Sequence, residues 1–195
     1  MLDDRRMAHR FGSPIAPPSL LIAVALVMPH VVAAAESDDE TPSCAASLPA
    51  TVSVARDLQR YVASMLAASS TFRAQCSRIA HAQSLITLIR VDPALAERSY
   101  RARTWFGRTP AGVLVARVHI SLRTSPVEWI AHELEHVVEQ LEGLSLPALA
   151  ADRQGVWLSG EKMFETTRAI EAGRRVAAET QQAARRDRRH DTFVE

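Results

Sequence analysis

Between residues 126 and 142 the apolar positions are Val127, Ile130, Ala131, Leu134, Val137, Val138 and Leu141, the 3.6-residue rhythm of a helix with one buried stripe. Ser125 is a fitting N-cap for it, Pro126 suits the first helical position, Glu128 completes a capping box, and Gly143 ends the run. The same rhythm over 53–68, through Val54, Leu58, Tyr61, Val62, Met65 and Leu66, predicts an earlier helix that Ser69-Ser70 breaks. A short helix around 72–82, carrying Cys76 and Ile79, follows it. Residues 85–91 (L-I-T-L-I-R-V) are β-branched and apolar, end at Asp92-Pro93, and read as a buried strand. Two more strands, 101–106 and 113–120, join through Thr109-Pro110-Ala111-Gly112 as a hairpin. In the second of these, Leu114, Ala116, Val118 and Ile120 make one apolar face, and Val113, Val115, Arg117 and His119 a mixed one. Residues 144–160, with Pro147 and Gly155, read as a loop holding a short extended piece at 156–158; a last helix is expected over 161–184. Helices, a small antiparallel sheet, then helices: the order predicts an α+β fold.

The front of the chain does not fit this pattern. Residues 1–35 carry Arg5, Arg6 and Arg10, then the apolar run from Leu20 to Met28, then Ala33-Ala34-Ala35, the layout of a secretory signal peptide with an A-x-A cleavage site. The run is short for a bilayer span and Pro29-His30 interrupt it, so cleavage is expected, with no stable membrane anchoring afterwards and a periplasmic or secreted location. Residues 36–50 are polar, hold two prolines and read as a flexible leader; 51–184 form a single domain, and 185–195 a polar basic tail.

Charge narrows the partners. Removing residues 1–35 takes out three arginines and two aspartates and leaves 20 charges of each sign. That balance argues against electrostatic capture of nucleic acid or of an anionic membrane. The Arg185–Arg189 cluster favours the negative pole of a terminal helix or a frayed tail. In an exported chain Cys44 and Cys76 can pair as a disulfide; two buried thiols are the alternative.

The chemistry concentrates in His132-Glu133-Leu134-Glu135-His136. On a helical wheel the two histidines lie off the apolar stripe with Trp129 and Glu139, and Glu133 sits at the border. Histidines four apart bring their rings over one patch, near enough to share one zinc ion. Trp129 beside them suggests a partly covered cleft wall rather than a solvated face. His81, His119 and His190, taken singly, read as surface or satisfied core residues.

At these residues the chain resembles the HExxH zincins, the superfamily of thermolysin-like and related metallopeptidases, and looks like a small exported zincin-like protein of bacteria. The likeness covers 132–136 and a downstream ligand. It implies a zincin-like domain with the HExxH motif on an active-site helix, zinc as cofactor, and His132 and His136 as neutral imidazole ligands. It implies Glu133 as general base toward a water that the zinc activates, and a peptide or protein as substrate. The metzincin extension is absent, since it needs Gly at 139 and His at 142 and both positions hold Glu. Thermolysin-like members take their third ligand, a Glu, from a later helix, which points to Glu161, Glu165 or Glu171. Glu165, at the edge of the expected buried face, is favoured; Glu161 one turn earlier is the rival, and Glu171 points away among Arg168 and Arg175. The family's acid four residues after that glutamate is missing, because residue 169 is Ala. Tyr100, Arg103 and His119 are candidates to stabilise an oxyanion, and the 113–120 strand, if it is the sheet edge at the cleft, could bind an extended substrate.

Two function classes follow. One is an exported zinc-dependent hydrolase, a metallopeptidase with Glu133 as base. The other is a non-catalytic exported binding protein that keeps the fold, with zinc structural or absent.

Overall fold

The computed structural model describes residues 47–97, 100–123, 125–160 and 163–191. The signal peptide, nearly all of the leader, Cys44 and Glu161 therefore lie outside the described residues, as does the pairing of Cys44 with Cys76.

The main sheet contains β1 (Val52–Val54), β2 (Leu85–Val91), β3 (Ala102–Arg108) and β4 (Leu114–Ile120), in the spatial order β1-β2-β4-β3. The hairpin forms as expected, with β3 antiparallel to β4 and Gly112 at φ +81 in the turn. The sheet as a whole is mixed rather than antiparallel, because β1 and β4 both run parallel to β2. β1 was expected to be the start of a helix. Val52 and Val54 instead pair beside Thr87 and Ile89 and pack on the core, and helix α1 begins only at Arg56, running to Ala68. Helix α2 (Ser70–Ala80) follows after the expected break, its N-cap Ser69 accepting the Phe72 N–H at 3.0 Å.

A short α3 (Ala94–Glu97) links β2 to β3, and α4 (Pro126–Leu141) follows β4. Strand alternation sends Leu85, Thr87 and Ile89 of β2 and Leu114, Ala116, Val118 and Ile120 of β4 to one face, where all are buried. Leu58, Val62 and Met65 of α1, Phe72 and Ile79 of α2, and the apolar stripe of α4 cover that face and complete the core. Each fully buried Leu, Ile or Phe contributes about 1.5–3 kcal/mol. The other face carries Arg90, Arg117, His119 and the half-exposed Ile86, so β2 is buried on one side only.

Beyond α4 the extended piece expected at 156–158 forms, and the chain around it departs from expectation. Residues 144–160 contain a one-turn helix α5 (Leu146–Ala151) and β5 (Val156–Gly160), and β5 pairs antiparallel with β6 (Met163–Thr166). The last helix, α6, is Thr167–Asp191, so residues 163–166 are strand rather than helix. Thr166 is the reason for the change: its Oγ1 accepts the Ala169 N–H at 2.9 Å, an N-cap that starts the helix one residue later. α6 packs along α4 through Ala169, Gly173 and Val176. Glu179 ties it to the α1–α2 corner, accepting from Ser69 Oγ at 2.5 Å, Thr71 Oγ1 at 2.9 Å and Thr71 N–H at 3.2 Å. All described residues belong to one compact unit, Glu40–Glu195, and none of their helices is long and apolar enough to cross a membrane.

Candidate metal centre

α4 is the spine of the site. Pro126 occupies its first turn and Gly143, at φ +72, follows its C-cap, as the sequence suggests. The expected capping box does not form, because the Ser125 side chain makes no cap hydrogen bond. The polar half of the helix is buried as fully as the apolar half: His132, Glu133, Glu135, His136 and Glu139 are each no more than 9 % exposed. β3, β6 and α6 cover that half.

The two imidazoles stand one turn apart with ring centroids 5.0 Å from each other, edge to face. Glu165 of β6 reaches between them. Its Oε1 lies 3.2 Å from His132 Nε2 and 3.5 Å from His136 Nε2, and one donor atom from each of the three lies within 4.8 Å of the others. The wheel that favoured Glu165 assumed a helix, and that reasoning fails on a strand; the β6–α6 junction is what delivers the carboxylate. Glu171 lies away from this cluster on a groove with Arg168 and Arg175.

Zinc bonded at about 2.0–2.2 Å in a tetrahedron keeps its donor atoms about 3.3–3.5 Å apart. The two separations to Glu165, 3.2 and 3.5 Å, lie within about 0.1 Å of that span. The electrostatics fit a cation too. Burial disfavours the charged form of His136, yet its bonds to Glu139 and Glu165 outweigh burial and raise it to about 10. Burial likewise opposes ionisation of Glu165, and the two histidines overcome it, lowering it to about 2. The cluster thus stabilises positive charge at its centre, and the donors present suit a divalent ion with one position left open.

The rings are held differently. His136 Nδ1 bonds Glu139 Oε2 at 2.7 Å, and Thr166 Oγ1 donates to Glu139 Oε1, also at 2.7 Å. His132 is held by packing. Trp129 tilts against it at 5.4 Å, and a Cβ added at Gly173 of α6 would stand 3.1 Å from the His132 Cβ. From sequence, Glu139 lies on the histidine side of the wheel and departs from the metzincin pattern, with no role toward His136. Its spacing three residues after His136, one helical turn, is the signal that could have found it.

Glu133 is 5 % exposed and accepts a 2.6 Å hydrogen bond from Thr104 Oγ1 of β3. Burial raises its pKa, against the lowering influence of His132, His136 and Thr104. Thr104 was not singled out from sequence. Glu133, the two histidines and Glu165 line one cleft of about 630 Å³, walled by β3 on one side and by Leu146, Met163 and Phe164 on the other. Tyr100 and Arg103 also border this cleft. His119 does not: it bonds Asp92 at 3.0 Å and packs edge-on to Trp105, on the far face of the sheet. Nor is β4 the edge at the cleft, for it lies between β2 and β3; the edge is β3.

Compared with known proteins, the chain matches no family model, no curated protein and no solved structure.

Proposed function

We propose that this chain is an exported zinc-dependent hydrolase of the zincin type, and that it cuts peptides bound in extended form along β3. The observation that carries the reading is the convergence of His132 Nε2, His136 Nε2 and Glu165 Oε1 beside a buried Glu133 in an open cleft. A structural metal site would close its fourth position with a fourth protein ligand and would need no extra carboxylate next to it.

A bound zinc ion would bring a water's pKa to about 7 and polarise the carbonyl under attack. Glu133 takes the proton from the attacking water and passes it to the leaving amine. Burial raises its pKa, which favours its holding the proton between the two halves of that transfer. Thr104 holds the carboxylate through one oxygen and leaves the other to receive the proton.

The peptide reading draws on the free edge of β3. Ser121 N–H donates to Arg101 O and Thr109 N–H to Val113 O, so the odd-numbered residues of this ladder turn their backbone groups toward β4. In an antiparallel pair the alternate residues face the other way, and Ala102, Thr104 and Phe106 therefore offer their N–H and C=O to an added strand. The Thr104 side chain reaches Glu133, so a chain paired there would lie directly over the site. Leu146, Met163 and Phe164 across the cleft give it an apolar wall for side chains.

Metal analysis of the purified chain should find about one zinc per molecule. His132→Ala should lose it, while Glu133→Gln should keep it and lose hydrolysis of a mixed fluorogenic peptide library. Undiminished hydrolysis by Glu133→Gln would end the mechanism. A zinc-loaded native chain that retains peptides but cuts none would instead identify a binding protein.

A further inference from the structure

We propose that Glu139 is the positioning residue of this centre: it sets the ring of His136 directly and the place of Glu165 through Thr166. The inference rests on the metal reading above and goes beyond it.

Glu139 is 2 % exposed and both of its oxygens are engaged. The bond at Oε2 commits the His136 Nδ1 to carrying a proton, which leaves Nε2, the atom 3.5 Å from Glu165, with its lone pair available for a metal. The bond at Oε1 takes the Thr166 hydroxyl proton, so that Oγ1 must use a lone pair for its second contact, the Ala169 N–H at 2.9 Å. Thr166 is thereby held at the β6–α6 junction, and its own N–H donates to Glu165 Oε1 at 2.9 Å. One buried carboxylate on α4 thus fixes an imidazole of its own helix and the residue next to the carboxylate ligand of another element.

Packing alone does not account for a glutamate here. A carboxylate removed from water costs several kcal/mol even when paired, and an apolar residue of similar volume generally serves a core as well or better. The position is useful only if His136 must face one way while bearing positive charge or a metal.

The test compares the native chain with Glu139→Gln, which keeps the shape and removes the charge, and with Thr166→Val, which leaves the carboxylate but frees one of its oxygens. Zinc affinity by chelator competition should fall about 10- to 100-fold in Glu139→Gln and less in Thr166→Val. The visible bands of the cobalt-loaded protein should shift in Glu139→Gln, a change that a purely structural role would not produce. Nitrogen chemical shifts of His136 should report a protonated Nδ1 in the native chain. Native affinity together with an unchanged cobalt spectrum in Glu139→Gln would overturn the proposal and leave the metal reading intact. If Glu139→Gln does not fold, native zinc affinity in Thr166→Val overturns it. A native chain that takes up no zinc removes both.

Discussion

Replacing Gly173 with alanine separates helix propensity from helix packing in one substitution. In an open helix interior, Gly→Ala stabilises by about 1 kcal/mol. At 173 the new Cβ would lie 2.7 Å from the carbonyl oxygen of Glu128 and 3.1 Å from the His132 Cβ. Ordinary contact needs about 3.3 Å to oxygen and about 3.6 Å or more to carbon. α6 must therefore draw back from α4 by roughly half an ångström, since the groups it meets are a backbone carbonyl and a Cβ that cannot swing aside. Overpacking of this kind costs about 1–3 kcal/mol, so the net effect is about 0–2 kcal/mol of destabilisation, a melting temperature lower by several degrees at most. The larger consequence falls on the site. Metal–ligand distances tolerate about 0.2 Å, and the same withdrawal shifts the β6–α6 junction, with Thr166 and Glu165 on its strand side, relative to His132 and His136. Zinc affinity should drop about tenfold or more although no ligand has been touched. Calorimetric melting of the metal-free protein and chelator competition read the two effects separately. A Gly173→Ala protein that gains the full 1 kcal/mol and binds zinc like the native chain would show that the two helices do not approach as described.

Three further perturbations probe the frame around the cleft. Thr104→Val removes the hydroxyl that holds Glu133 and should lower kcat/KM on a cleaved peptide about tenfold or more with zinc affinity unchanged; equal loss of zinc would place Thr104 in the ligand frame instead. Arg168→Met leaves Glu135, 5 % exposed, with only Gln75 and the distant Arg78 as partners, and should cost about 2–4 kcal/mol in denaturant unfolding, most of it regained when Glu135→Gln is added. Glu179 has its pKa lowered: burial opposes ionisation, but bonds from Ser69 and Thr71 prevail. Because the folded pKa lies below the unfolded one, the stability that Glu179 contributes is present above about pH 5 and is lost as pH falls through the folded pKa. Glu179→Gln should therefore be less stable than the native chain at pH 7, and the gap should narrow as pH falls through the folded pKa; a gap that does not change with pH would contradict the role given to its charge.

What could be read from the chain was what depends on neighbours in sequence. The period of α1, α2 and α4, the Ser69 break and the Thr109–Gly112 turn are local, and each fell within a few residues of its place. The parallel pairing of β1 and β4 with β2 is not local: Leu85 lies beside Leu114 and Val52 beside Thr87, and a single-sequence period carries no information about which strands meet. An antiparallel sheet was expected from the one hairpin visible, and the parallel strands it concealed also put β3 rather than β4 at the edge. Residues 163–166 misled for a different reason. Phe164-Glu165-Thr166 can continue a helix backward from Thr167 on pattern alone, and only the Thr166 cap shows where the helix stops.

That boundary decides what kind of site this is. α4 carries Glu133, Glu135 and Glu139 within seven residues, all buried, and a helix that had only to pack would carry apolar residues at such positions. Their partners divide them. Glu135 meets Gln75, Arg168 and, at 3.7 Å, Arg78, protein groups away from the cleft that could be exchanged together for apolar ones without loss of chemistry. Glu133 and Glu139 have partners that close nothing: Thr104 engages one oxygen of Glu133, and Glu139 completes its bonds by turning His136 toward Glu165. In these two the buried charge leads to the cleft rather than away from it. Had α6 begun at 161 as the pattern suggests, Thr166 would sit inside a helix with its backbone N–H committed to the residue four back, and neither the Thr166–Glu139 bond nor the Thr166–Glu165 bond would form as it does. With α4 holding the two imidazoles, the short strand β6 ahead of α6 is what supplies the carboxylate between them.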